Sequence, residues 1–151
     1  MTRPVAGSFL FLLLAGCAVT QVASVMQPAV SGGLAVHRID GTELQWTPDH
    51  CSSGDNALFV GFDFLSTHDD GHLRVVLEPI DGPAVRWTYS DGNAQDRTVL
   101  RRADCARLDL DVHPTAWEVN DVRDFAGYVD LQCTSPEGLH LEGRIAVDHC
   151  H

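Results

Sequence analysis

Short runs in which apolar and polar residues alternate follow one another along the chain from Leu34 onward. In 106–113, leucine or valine alternates with charged residues, and 125–133 and 139–148 show the same period of two. Such alternation places one face of a strand on a core and the other in water, which is typical of antiparallel sheets. The candidate strands are 34–39, 42–47, 58–65, 72–80, 84–90, 97–101, 106–113, 125–133 and 139–148.

Turn signals separate these runs. The dipeptide Asp-Gly, which is frequent in hairpin turns, occurs at 40–41, 70–71, 81–82 and 91–92. No stretch carries a helical pattern, and residues 115–123 are predicted to be a loop or a short helical turn. The chain is therefore predicted to be all-β, with a small antiparallel β-sandwich or barrel of about eight strands.

The first 16 residues are typical of an export signal. Met1-Thr2-Arg3 supplies a positive charge, and the uncharged residues that follow end in Leu14-Ala15-Gly16-Cys17. This order is that of a secretory signal peptide, and its apolar run is shorter than the roughly 20 residues that span a membrane. Leu-Ala-Gly-Cys resembles the lipobox of bacterial lipoproteins, which implies cleavage before Cys17 and diacylation of its thiol. A secreted protein without lipid is the alternative.

Three regions follow from these patterns: a signal peptide at 1–16, a lipid-anchored tether at 17–33 and a β domain at 34–151. Part of the uncharged tether is alternatively a first strand. Ala18 follows Cys17, whereas an aspartate there is the inner-membrane retention signal of lipoproteins in bacteria with two membranes. The resemblance therefore implies the periplasmic face of the outer membrane in such a source.

The composition narrows the range of partners. The chain has 21 acidic residues, ten arginines and no lysine, and removal of Arg3 takes its formal charge from −11 to −12. This charge argues against nucleic acid as a partner, because binding there depends on neutralising phosphates. It permits a cationic protein or an envelope component as partner.

Four cysteines follow Cys17, namely Cys51, Cys105, Cys133 and Cys150. An even number in a small exported domain predicts two disulfides, and the absence of a C-x-x-C pair disfavours a zinc site. If 125–133 and 139–148 form a hairpin, Cys133 and Cys150 lie roughly 30 Å apart, too far to bond. Antiparallel pairing of 106–113 with 125–133 favours Cys105–Cys133, which leaves Cys51–Cys150.

A duplicated tripeptide is the main candidate for chemistry. The order Asp-His-Cys occurs at 49–51 and at 148–150, and a further histidine ends the chain. If a disulfide joins the two copies, three imidazoles and two carboxylates gather near it, a set that suits Zn²⁺ or Cu²⁺. Exposed polar side chains are the alternative. The candidate metal ligands are His50, His149, His151, Asp49 and Asp148.

Other motifs are less specific. The segment at 68–72 carries two histidines and two aspartates, which fit either a cation site or a solvated hairpin turn. Trp46 and Trp87 lie in alternating strands and are predicted to be core residues, whereas Trp117 is predicted to be exposed. No G-x-S-x-G or H-E-x-x-H motif is present. We therefore predict no enzyme and no cofactor beyond the covalent lipid and the candidate metal.

The mature pattern is similar to small bacterial lipoproteins without a known activity. The similarity rests on Cys-Ser-Ser-Gly-Asp, Phe-Val-Gly-Phe-Asp, Gly-Tyr-Val-Asp-Leu-Gln-Cys and the segment ending in Asp-His-Cys. It implies a lipid-anchored envelope protein that acts by binding or structure. Lysozyme-inhibitor lipoproteins are comparable in size and location, and an acidic domain suits a basic lysozyme, but their Ser-Gly-x-x-Tyr signature is absent. Inhibition of a basic envelope-directed enzyme is thus an alternative supported by charge alone.

Overall fold

The residues that the structure describes form ten antiparallel strands in two five-stranded sheets. The computed structural model describes residues 30–90 and 95–151, and it confirms the predicted all-β class, with ten strands where about eight were expected. Sheet 1 has the order β2-β1-β10-β9-β8 and sheet 2 the order β3-β4-β5-β6-β7. The strands of sheet 1 are β1 (Val30–His37), β2 (Glu43–Trp46), β8 (Cys105–Val119), β9 (Val122–Thr134) and β10 (His140–Cys150). Those of sheet 2 are β3 (His50–Ser53), β4 (Gly61–Leu65), β5 (Gly71–Glu78), β6 (Gly82–Ser90) and β7 (Gln95–Arg101).

Side chains from both sheets form one core. Trp46 of sheet 1 and Trp87 of sheet 2 are fully buried, and their rings meet edge to face with centroids 5.1 Å apart. Edge-to-face contact is a preferred geometry of aromatic pairs. Both tryptophans were predicted to be core residues, and Trp117 is exposed as predicted. The alternation in the sequence thus places the apolar faces of both sheets against each other.

The segment 115–123 differs from its prediction. Instead of a loop or helical turn, it forms the end of β8 and the start of β9, joined through Asn120 and Asp121. These two residues have φ values of 52° and 63°, in the left-handed region that Asn and Asp tolerate better than other non-glycine residues. A bulge between Pro114 and Glu118 interrupts the pairing of β8 with β9 and accommodates the proline on this edge strand.

Two strands lie outside the predicted bounds. β1 begins at Val30, so the last four residues of the predicted tether belong to the sheet. β3 was not predicted, because its four residues carry no apolar alternation. It pairs with β4 and places Cys51 opposite Phe64, at the edge of sheet 2.

The disulfide pairing agrees with the prediction. Cys51 of β3 is bonded to Cys150 at the end of β10, with Cα atoms 5.3 Å apart, so this bridge joins the two sheets. Cys105 and Cys133 lie directly opposite each other on β8 and β9 and form the second bridge within sheet 1. The predicted β9–β10 hairpin, which excluded Cys133–Cys150, is also present.

The predicted signal peptide, Cys17 and the tether up to residue 29 lie outside the described residues. Within 30–90 and 95–151, no helix is long and apolar enough to cross a membrane.

Candidate functional site

His149 and His151 converge on one carboxylate at the end of β10. The Nδ1 atom of His149 lies 2.8 Å from Oδ2 of Asp124, and Nδ1 of His151 lies 4.0 Å from Oδ1. β10 pairs with β9 so that Cys150 lies opposite Phe125, which brings this end of β10 beside Asp124. The carboxylate that meets these histidines is therefore Asp124, and neither of the predicted aspartates.

Asp124 is an almost fully buried acid with several donors around it. It also accepts hydrogen bonds from the Thr115 hydroxyl and from the backbone N–H of Cys150 at 2.8 Å. Burial alone raises the pKa of Asp124, but the hydrogen bonds from Thr115, His149 and Cys150 outweigh it and lower the pKa below its usual value. Asp124 is therefore ionised near neutral pH and fixes the ring of His149 through Nδ1.

His50 lies in a separate group with the other predicted aspartate. Its Nδ1 atom is 2.7 Å from Oδ1 of Asp49, which also accepts hydrogen bonds from the backbone and hydroxyl of Thr67. His68 approaches the same carboxylate at 3.8 Å. These hydrogen bonds, with that of Thr67 first, hold the pKa of Asp49 far below its usual value.

The two Asp-His-Cys copies thus share a disulfide but have different partners. Asp148 is exposed. Among the described residues, no group of three or more His, Cys, Asp or Glu side chains is placed to hold a metal ion. Metal binding at this end of the sandwich stays a prediction. The two histidines of 68–72 also lie in different groups, because His68 lies beside Asp49 and His72 lies beside Asp63.

A second group, which the sequence reasoning missed, lies on the outer surface of sheet 2. Here alternate residues of β5, β6 and β7 point away from the core and line a pocket of about 300 Å³. We call this surface the arginine face. Its residues are His72, Arg74, Arg86, Thr88, Arg97 and Val99.

Strand register places the charges of the arginine face side by side. Arg74 of β5 lies directly opposite Arg86 of β6, and Thr88 of β6 lies opposite Arg97 of β7. Like charges directly opposite each other on neighbouring strands destabilise a sheet. Three of the nine arginines that follow Cys17 thus crowd one face of a strongly acidic chain.

Asp63 of β4 holds one side of this face in place. Its carboxylate accepts hydrogen bonds from Nε and Nη2 of Arg74 at 3.0 and 2.6 Å, and it lies 2.6 Å from Nε2 of His72. Burial raises the pKa of Asp63, but the hydrogen bonds from His72 and Arg74 outweigh burial and lower it. The charge of Arg74 is therefore balanced locally.

The other two arginines are less well paired. Arg86 has Glu78 at 3.7 Å, but the same carboxylate lies 2.7 Å from Arg101. Arg97 has no acidic partner within the part of the chain that the structure describes. The surplus positive charge of this face therefore lies on Arg86 and Arg97.

Comparison with known proteins gives no relative from which to transfer a role: no family model, no curated protein and no solved structure matches this chain. The described residues thus present two candidate sites, the histidine–aspartate group and the arginine face.

Proposed function

We propose that this chain is an exported, lipid-anchored protein of the cell envelope that acts by binding. The observation that carries the proposal is Leu14-Ala15-Gly16-Cys17 after a basic start and an apolar run. The two disulfides support export, because such bonds persist in oxidising compartments and are rare in the cytosol. Anchoring through two acyl chains leaves the surface of the sandwich free for a ligand.

A binding role is favoured by the shape of the molecule. The arginine face is a rigid surface of neighbouring strands whose charged side chains are positioned by strand register rather than by loops. Its surplus charge is offset by an anionic ligand rather than by residues of this chain. The proposed partner is therefore a component of the cell envelope that carries a negatively charged group. It must lie within reach of the membrane-anchored domain.

Replacement of Cys17 tests the anchor. In the Cys17→Ser variant of the full chain we expect the protein to leave the membrane fraction or to accumulate as an uncleaved precursor, because serine has no thiol to acylate. Ala18→Ser, which keeps the cysteine, is the matched control and stays in the membrane fraction. Intact-mass analysis of the wild type that shows a mature chain with an unmodified Cys17 contradicts the proposal.

Metal binding is a second candidate, favoured by one observation. Ligand histidines commonly donate their second ring nitrogen to a carboxylate, and Asp124 accepts such a bond from Nδ1 of His149. Within the described residues Nε2 of His149 has no hydrogen-bond partner. The structure brings His151 to the same carboxylate as a second imidazole.

Calorimetric titration with Zn²⁺ and Cu²⁺ tests this candidate. We expect saturable heats for the full chain and their loss in the double variant His149→Ala/His151→Ala, because both imidazoles of the group are removed. His113→Ala, an exposed histidine on β8, serves as control and keeps the wild-type heats. Identical titration heats for the wild type and the double variant would show that these two histidines do not bind the metal.

A further inference from the structure

We infer that the arginine face binds a phosphate monoester, with Arg86, Arg97 and Thr88 as the groups that contact it. The inference rests on the binding role proposed above and names the class of ligand. It does not depend on the lipid anchor, which involves a different part of the chain.

The arginine face concentrates positive charge in a way that lowers the stability of sheet 2. Arg74 and Arg86 lie directly opposite each other on two hydrogen-bonded strands, and Arg97 lies two residue pairs further along on the next strand, opposite Thr88. Cross-strand pairs of like charge destabilise a sheet, whereas a bound anion between them converts repulsion into attraction. A chain with twice as many acidic residues as arginines nevertheless supplies no acid for Arg97 within the described residues. This concentration of charge is explained by a ligand.

The hydrogen-bond donors of the arginine face match the oxygens of a phosphate group. A guanidinium presents several N–H donors in a planar fork that fits the oxygens of phosphate in a bidentate manner. Two such forks and the Thr88 hydroxyl lie on adjacent strands around one pocket. A phosphate monoester has three terminal oxygens, enough to accept from Arg86, Arg97 and Thr88 together. A carboxylate offers about four acceptor positions on its two oxygens, one fewer than two bidentate guanidinium groups and a hydroxyl occupy together.

One side of the pocket is preorganised for binding. Asp63 fixes Arg74 and His72 along one side of the pocket, so this wall is in place before a ligand arrives. A wall that is already ordered reduces the conformational entropy lost on binding. Asp63 also balances Arg74, so the ligand is directed to Arg86 and Arg97 on β6 and β7.

The volume of the pocket limits the size of the ligand. The pocket holds about 300 Å³, which is the lower end of the range for small-molecule sites and exceeds the needs of a bare phosphate ion. The rest of the chain is strongly acidic and repels an extended polyanion such as nucleic acid. The inferred ligand is thus a compact organic phosphate, either a sugar phosphate or a lipid headgroup.

The test measures binding to the full-length chain purified in a non-ionic detergent. Nitrogen-15 NMR follows the arginine Nε–H and Thr88 amide signals during titration with inorganic phosphate, glucose 6-phosphate, dihexanoyl phosphatidic acid and, as a neutral control, glucose. We expect saturable shifts with the phosphates and none with glucose. Tighter binding of glucose 6-phosphate supports a sugar phosphate as the source, and tighter binding of the lipid supports a headgroup. Absence of saturable shifts with all three phosphates overturns the inference.

Variants test whether these residues hold the phosphate. Arg86→Gln and Arg97→Gln should each weaken binding by about tenfold or more, because each removes a charge-assisted donor pair. Thr88→Val keeps the shape and the strand preference of threonine and should weaken binding by a smaller factor. Arg107→Gln, on sheet 1 and paired with Asp130 at 2.7 Å, is the control and should bind as the wild type does. Equal affinity in the wild type and in Arg86→Gln/Arg97→Gln overturns the inference.

Thermal melting separates a lost site from a lost fold. Because the double variant removes like charges, its melting temperature without ligand should equal or exceed that of the wild type. Phosphate should raise the melting temperature of the wild type and leave that of the double variant unchanged. Failure of this titration leaves the Cys17 fractionation result intact, so the two proposals fail separately.

Discussion

Asp63 connects two side chains of the arginine face at the scale of single residues. Its carboxylate is mostly buried at the level of the side chain and contacts both His72 and Arg74. Because these contacts favour the ionised form, the pKa of Asp63 lies below its value in an unfolded chain. Ionisation of this one residue is therefore coupled to the stability of the folded protein.

The sign of this coupling gives a pH prediction. A lowered folded pKa adds stability at pH values above the unfolded pKa of about 3.9, and this contribution disappears as the pH falls through the folded pKa. Asp63→Asn should therefore lower the free energy of unfolding near neutral pH by about 1 kcal/mol and flatten its decline below about pH 4. Denaturant unfolding at a series of pH values measures both effects. Asp69→Asn, at an exposed loop position, is the control, and equal pH profiles for wild type and Asp63→Asn contradict the prediction.

At the scale of strands, much of the fold could be predicted from alternation. The strands β5, β6, β9 and β10 have regular apolar positions, and the Asp-Gly dipeptides at 40–41, 70–71 and 81–82 lie where β2, β5 and β6 are about to begin or begin. The pairing of β8 with β9 was predicted for 106–113 and 125–133 and is confirmed. Its extension to a turn at Asn120 and Asp121 was not predicted, because Pro114 and the following residues do not alternate. β3 was not predicted either, because its own sequence shows no strand pattern. Pairing with β4 and the disulfide of Cys51 stabilise it.

The two candidate sites were predictable to different degrees. The closeness of His149 and His151 follows from their spacing at the end of β10, but Asp124 lay between the predicted loop at 115–123 and the predicted strand at 125–133. The arginine face carries a signal in the sequence, because His72 and Arg74, and Arg86 and Thr88, are spaced by two. Strand register was needed to place them opposite one another, and alternation alone does not specify which residues of two strands pair.

At the scale of the whole molecule, the two disulfides restrict very different lengths of chain. Cys51–Cys150 spans 99 residues and joins the sheets, whereas Cys105–Cys133 spans 28 residues within sheet 1. In the chain-entropy treatment, the longer loop contributes more because its closure removes more freedom from the unfolded state. The bridge between the sheets should therefore be the more stabilising one.

Paired alanine variants test this order. Cys51→Ala/Cys150→Ala should lower the free energy of unfolding by about 4–5 kcal/mol, and Cys105→Ala/Cys133→Ala by about 3–4 kcal/mol. Equilibrium urea unfolding of both variants and of the wild type, all under oxidising conditions, measures the difference. A larger loss from the variant without the bridge of sheet 1 contradicts the prediction.

The position of β1 has a mechanical consequence for a protein held at its N-terminal side. A pull on the chain before Val30 acts along β1, which is bonded to β10 over its whole length and to β2 over half of it. The interstrand hydrogen bonds lie across the strand axis, so such a force shears many of them together rather than opening them one by one. Val30 pairs with Val147, three residues before Cys150, and the bridge to Cys51 passes the tension covalently from sheet 1 to sheet 2. A force applied to the chain before Val30 is therefore expected to move the two sheets as a single body instead of detaching β1.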